Sequence, residues 1–406
     1  MTDPAGKLHI TLDAAAVTIT STRPVRAAKV FVGRDVADTV RLLPVLFNIC
    51  GTAQSAAAAA AIEQALGLAA DHRIAELRQQ LVDTETLREH LWRILLDWPK
   101  FLGSDPDAAA MTQAMRLTIT RRTALTAGSA ALAPGASAAA PDQPAAGQAR
   151  EDLAALCTER LFGVTPAAWR TRVDRLDTLA AWAADTDTVA ARLVRQIIAA
   201  GQAGYGRCAV SALPDLSAAD LDRHLGDDAA TTDDFVARPV WAAQPRETSP
   251  LTRQQDQPLV RNLATDFDNG LLPRLAAQLT EVARLLSDTP VPGAPPTAAA
   301  LAPGLGLSQV QAARGLLVHR VHIRDGRIIA YAILAPTEWN FHPRGVVAAG
   351  LRQILRQHGV DHIAPLVRLF ITAVDPCVDY ALDLPGSERS LPNLGDARNA
   401  GPNSEF

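Results

Sequence analysis

Residues 311–344 read QAARGLLVHRVHIRDGRIIAYAILAPTEWNFHPR, and the fold follows from this stretch. Two aliphatic, β-branched runs, 317–324 and 327–334, flank Asp325-Gly326. That dipeptide suits a two-residue type I′ turn, whose central residues both need positive φ, so the runs pair as an antiparallel hairpin. Val321 and Ile323 share one face, as do Ile329, Tyr331 and Ile333. Arg314-Gly315 precedes the hairpin and Thr337-Glu338-Trp339-Asn340 follows it. Each, taken alone, is ordinary turn and strand-end chemistry.

Working outward, the hairpin belongs to a C-terminal module over 306–383. A helix is expected at 346–357, closed by His358-Gly359, before an apolar run at 366–374 that ends in Asp375-Pro376-Cys377. A tail, 384–406, follows. Upstream, 288–305 is a Pro/Ala-rich loop, 150–287 is a helical middle region without a chemical motif, and 126–149 has the composition of a linker or exposed loop. Within the middle, 179–200 and 272–286 read as helices. The N-terminal part, 1–125, opens with short strands at 8–12, 17–20 and 29–32. Helical spacing begins at Val36 and runs to Cys50-Gly51. An Ala-rich helix over 54–66 stops at Gly67. A long amphipathic helix over 72–98 gathers Ile74, Leu77, Leu81, Leu87, Leu91, Ile94, Leu95 and Trp98 on one face and ends at Pro99. The fold class is α+β, mainly helical, with small antiparallel sheets near both ends.

Composition narrows the function. Apolar residues make up 48% and charged residues 20%, as in ordinary globular proteins. No apolar run is long enough for a spanning helix, so no membrane is expected. A net charge of −4 implies no general affinity for nucleic acid. The N-terminus has no export pattern. Arg121-Arg122 resembles a twin-arginine export signal but is internal, and is read as loop or helix surface. Four cysteines, Cys50, Cys157, Cys208 and Cys377, lie too far apart for a disulfide framework, which fits a reducing cytoplasm. Between Gly306 and Val374 eight arginines face two aspartates and one glutamate, a balance of +5, and five of nine histidines lie there as well. This is either a solvated basic face or a surface that meets an anion or an acidic partner. His319 and His322 are three apart on a strand and point to opposite faces, which argues against a histidine metal site.

A lone buried cysteine is most often a small hydrophobe. The order of the motifs says more: a β-rich start, Asn48-Ile49-Cys50-Gly51-Thr52-Ala53, a long helix, Ala313-Arg314-Gly315-Leu316-Leu317-Val318-His319, Pro336-Thr337-Glu338-Trp339-Asn340-Phe341-His342-Pro343-Arg344, and Asp375-Pro376-Cys377. Over about 7–100 and 306–383 this succession resembles the large subunit of nickel–iron hydrogenases. In that family an Arg-x-Cys-Gly-x-Cys pair and an Asp-Pro-Cys-x-x-Cys pair hold the metals. The first cysteine of each binds nickel and the second bridges nickel and iron. Here Ala53 and Tyr380 stand at the bridging positions, Ala57 replaces a histidine, and Asp383 replaces the final histidine. Ala313 replaces a proline before Arg314, and the acidic proton relay has no counterpart near Gly6.

The departures resemble the HupK/HoxV group, large-subunit relatives that act in hydrogenase assembly. The resemblance implies a non-catalytic scaffold that transiently holds the Fe(CN)2CO fragment before transfer to the hydrogenase large subunit. Cys50 and Cys377 would be its iron ligands. Arg314 and Thr337 would bind the cyanides, and Asp375 would match the family's motif aspartate. No nickel is expected, and the implied partners are the large subunit, a HypC-type chaperone and other Hyp maturation proteins. Two alternatives stay open. One is a metal-free mimic that binds chaperones or hydrogenase subunits, and the other is a divergent enzyme using another metal. The metal-bearing readings require the two cysteines to meet in the interior beside Arg314.

Overall fold

The last strand of the chain closes on the first. The computed structural model describes residues 6–13, 16–47, 49–68, 71–128, 130–137, 141–226, 228–287, 297–359 and 363–384. Strands β1 (Leu8–Leu12) and β2 (Val17–Ser21) pair antiparallel, and β7 (Tyr380–Asp383) adds to β1 in parallel, with Leu8 opposite Tyr380. Parallel pairing needs a long crossover, and here the crossover is nearly the whole chain. This sheet is therefore mixed rather than antiparallel, and it seats Cys377 a few residues before the strand that anchors it.

The second sheet is antiparallel, in the order β3-β4-β5-β6: β3 (Thr297–Ala302), β4 (Leu305–Ala312), β5 (Gly315–Arg324) and β6 (Arg327–Leu334). Asp325 and Gly326 have φ of 51° and 74°, the left-handed pair that the hairpin reading required. Two details correct the sequence reading. The loop expected over 288–305 is a strand from Thr297, whose alanines give no alternation to read; 288–296 lie outside the described residues. A register shift at His322/Ile323 buries Ile328 and leaves Ile329 40% exposed, so Ile329 does not share the Tyr331 face.

Helix α1 (Val36–Leu46) leads to α2 (Gly51–Leu66), which ends at Gly67 in a left-handed cap, as its sequence predicts. Its alanines let α2 lie close on the second sheet, where Ser308 Oγ donates to the Ala57 carbonyl at 2.6 Å. The third strand expected at 29–32 is instead a 3-10 turn, Ala27–Phe31. Phe31 turns inward onto Tyr331, ring centroids 5.6 Å apart, and Gly33 and Arg34 bond to Ile328 of β6. Helix α3 (His72–Trp92) passes through a π-helical turn, Arg93–Asp97, and continues over Trp98–Phe101. Pro99 does not end it, because the Leu95 carbonyl that Pro99 cannot bond accepts from the Asp107 N–H at 2.9 Å. Nor is α3 amphipathic in place: Arg78, Glu85, Glu89 and His90 are buried along with the apolar face.

The remaining helices pack around α3 and the wholly buried Leu271–Leu286. A helix, Gln143–Cys157, occupies the end of the expected 126–149 linker. The single helix expected over 179–200 is two, Leu176–Asp185 and Val189–Ala199, parted where the Thr188 side chain caps the second. Val346–His358 and Ala364–Val374 close the core against β1 and β2, so both chain ends share one core. No helix among the described residues is long and apolar enough to cross a membrane. The 384–406 tail lies outside them from 385 onward.

Candidate functional site: a cysteine-lined cavity

Five separate segments converge on a cavity of about 180 Å³, many times the roughly 10–15 Å³ one water needs. They are the residues after β2, the entry to α2, the β4–β5 turn, the segment after β6, and the Asp-Pro-Cys turn. Cys50 and Cys377 both line it, with Arg23, Gln54, Arg314 and Glu338; most of the remaining wall is apolar. The cysteines are thus neighbours although 327 positions (377 − 50) separate them.

Cys50 stands at the N-cap of α2 without a side-chain cap bond. The first N–H groups of the helix go to Glu85 of α3, from Thr52 at 2.8 Å and Ala53 at 3.0 Å. Gln54, one turn on, donates to Cys50 Sγ at 3.6 Å while its carbonyl bonds His319 Nε2 at 2.8 Å. Burial pushes the Cys50 thiol up to about 12, with Cys377 and Glu85 adding negative charge that Arg314 only partly offsets. Glu85 is itself raised, chiefly by burial, against the opposing pull of Arg88 and the two N–H bonds.

Cys377 is held by two donors. Arg23 Nη1 lies 2.5 Å from its Sγ and the Thr337 hydroxyl 3.0 Å. Arg23 is anchored by Glu338 through Nε at 2.9 Å. Burial opposes charge on Arg23, but Cys377 and Glu338 outweigh it and hold its guanidinium pKa above the usual value. Arg314 sits at the β4–β5 turn with 3% exposure. Its Nη2 meets Glu89 at 2.9 Å and its Nε meets Asp375 at 3.2 Å. Despite burial, the charges of Asp375 and Glu89 raise it. The turn is possible because Gly315 follows, at φ 132°, where a Cβ would lie 2.3 Å from the Thr248 carbonyl. Thr248 also accepts the Leu316 N–H through its hydroxyl, and Asn340 donates to its carbonyl.

Beneath the cavity, charges alternate: Arg88, Glu89, Arg314, Asp375, Arg93, Asp97 and Lys100, each within ion-pair distance of the next. Glu85, beside Arg88, adds a fourth carboxylate to the three in this row, so the four cations are balanced, and Arg23 and Glu338 pair with each other. Asp375, at φ 62°, joins the guanidiniums of Arg93 and Arg314.

The structure therefore brings Cys50, Cys377 and Arg314 to the cavity wall. It sets Thr337 and Asp375 behind the wall, where Thr337 holds Cys377 and Asp375 holds Arg314. Ala53 is fully buried under Glu85, and Tyr380 takes its place in β7. Arg23, Gln54 and Glu85 were missed by sequence reading. A lone Arg-Pro after a strand carries no signal, and Gln54 and Glu85 sit in helices whose polar faces read as solvent-exposed. The basic character of the C-terminal module is divided: Arg324, Arg327, Arg344 and Arg356 are exposed and form a solvated face, whereas Arg368 and the residues named next lie inside. Arg314, Arg320, His319 and His342 are buried, and Arg320 pairs with Asp222 at 2.6 Å. Among the described residues no group of three or more His, Cys, Asp and Glu side chains is arranged to hold a metal.

The cavity also holds a donor in need of an acceptor. Arg314 Nη1 is buried with no hydrogen-bond partner, a cost that an acceptor in the cavity would remove.

The architecture is that of a hydrogenase large subunit. A solved Ni–Fe–Se hydrogenase from Desulfovibrio vulgaris Hildenborough superposes with a TM-score of 0.56 at 16% identity, over 91% of this chain and 93% of that one. The family signature "Nickel-dependent hydrogenase" matches residues 261–382. Among curated proteins, HoxV of Cupriavidus necator is 32% identical over 94% of this chain and 95% of its own. HupV of Azotobacter chroococcum is 30% identical over 88% and 90%, and HupK of Azotobacter vinelandii 28% over 94% and 99%. All three carry the name hydrogenase expression/formation protein, and this chain belongs to that family.

Proposed function

We propose that the protein is a maturation scaffold for a nickel–iron hydrogenase, which holds the Fe(CN)2CO fragment as cargo and then passes it to the hydrogenase large subunit. One observation carries the reading: Cys50 and Cys377, both half-buried, line a single cavity together with Arg314, whose Nη1 lacks a partner. Two soft thiolates suit low-spin iron. Loading displaces the Cys50 proton, as metal binding to a thiol must. Cyanide on iron is an anionic acceptor, and Arg314 is a buried charged donor beside it.

Release follows from what is missing. With Ala53 and Tyr380 at the two bridging positions, the cargo lacks the sulfurs that fix iron in the enzymes and rests on Cys50 and Cys377 alone, and nickel finds no bridging thiolate. A HypC-type chaperone would deliver the fragment and other Hyp proteins would serve the same sequence of steps, in the cytoplasm. The test is infrared spectroscopy of protein purified without oxygen from cells that express the maturation system. Cyanide and carbonyl bands are expected in the wild type and absent in Cys50→Ala and Cys377→Ala. An empty wild-type spectrum beside intact chaperone binding would replace this reading with the metal-free mimic.

A further inference from the structure

Arg121-Arg122 takes no part in the cysteine cavity, and the fold separates the two side chains. Arg122 is exposed, whereas Arg121 is 8% exposed, between α3, its own helix Ala108–Thr126, Gln143–Cys157 and Leu271–Leu286. This corrects the expectation that both lie on a surface. Arg121 lines a second cavity, of about 190 Å³, together with Gln80, Asp83, Gln143, Gly147 and Arg150.

Two observations make this a built site. First, Arg121 Nε and Nη1 are buried with no hydrogen-bond partner. A guanidinium does not give up its charge in a protein, so bare buried donors are costly until an acceptor arrives. Asp83 supplies a negative charge nearby but also accepts from Gln79 at 2.7 Å. Arg150 directs Nη1 to the neutral Ser287 carbonyl at 2.7 Å and repels Arg121. Two cations thus face one carboxylate. Second, Gly147 lies inside a helix on the cavity wall, yet a Cβ there would meet no atom within 4 Å. Packing does not require a glycine at a position where alanine favours the helix. The space beside it is open.

We propose that this cavity is a second ligand site, taking a small oxyanion, phosphate or carboxylate, between the guanidiniums of Arg121 and Arg150. The planar guanidinium fork matches either group in two parallel bonds. The site has no lining residue in common with the cysteine cavity, whose wall includes none of α3, and it stands whether or not iron binds.

The test is calorimetric titration of the full chain with inorganic phosphate, and separately with acetate, at constant ionic strength. One-site binding is expected, weakened tenfold or more in Arg150→Gln and in Gly147→Leu, which fills the opening without altering a charge. Tighter phosphate supports a phosphate ligand; tighter acetate supports the same site with a carboxylate ligand, such as an acidic side chain of a partner. Thermal unfolding gives an independent reading: without anion, Arg121→Met should melt no lower than wild type, and phosphate should raise only the wild-type midpoint. Absence of saturable binding for both anions, or equal binding in both cavity variants, overturns the proposal. So does an Arg121→Met midpoint well below wild type without anion, because Arg121 would then be structural.

Discussion

Arg23 is the residue that most distinguishes the cavity, since it places a guanidinium 2.5 Å from the sulfur of Cys377 and ties it to Glu338. A charged donor at that distance stabilises a thiolate and an anionic cargo alike. A charge-assisted bond is worth about 1.5–3 kcal/mol, roughly ten- to a hundredfold in retention. The informative variant is the double change Arg23→Ala with Glu338→Gln, which leaves no unpaired carboxylate behind. Its iron content after anaerobic dialysis should fall by that factor while its unfolding midpoint stays near the wild type. Undiminished retention would remove Arg23 from the site. The matching change at Arg314 is less clean, because Glu89 and Asp375 would both lose a partner.

At the scale of elements, the site depends on how α2 begins. Its N-terminus lacks a side-chain cap of its own and borrows Glu85 from α3. Glu85→Ala leaves two buried N–H groups unpaired and should lower stability by about 1–3 kcal/mol. Glu85→Gln keeps an acceptor and should lose less, which denaturant midpoints will rank. The two variants behaving alike would mean that neither the bulk nor the acceptor at this position matters, only the carboxylate's charge. The hairpin is a second case: Gly326→Ala forces a side chain onto φ 74° and should cost about 1 kcal/mol by the same measurement.

The molecule as a whole should weaken in acid, with His319 and Glu281 acting beside His342, which burial also holds down, to about 4. His319, bonded to Gln54 and Tyr331, is held down to about 3 by burial, from an ordinary 6.5. The unfolded chain therefore takes up a proton below pH 6.5 that the folded chain refuses. Stability should fall by up to about 1.4 kcal/mol per pH unit between 6.5 and 3. His319→Gln should reduce that slope in unfolding curves recorded across the range, leaving the part that His342 contributes; an unchanged slope would assign it elsewhere. Glu281 acts further down. Burial opposes its charge, but Arg253 and His90 prevail and depress it, so its contribution is present above about 4.5 and is lost as pH falls below that. Legibility divides in a similar way between near and far. The hairpin, the stop at Gly67 and the cysteine–arginine succession were readable because each is carried by adjacent residues or by a familiar order. The strand at Thr297–Ala302, the turn at Ala27–Phe31 and the continuation past Pro99 were not, because a distant partner decides each.

By itself, then, the sequence determined the α+β class, the central hairpin, the likeness to a hydrogenase large subunit and the loss of two of its four sulfurs. These are properties of local conformation and residue identity. Only the tertiary structure decided that β7 runs parallel to β1, that Arg23 reaches Cys377, and that Arg121 lies inside. Each depends on segments brought together across the chain, and charge burial is a property of what packs around a side chain, not of the residue type.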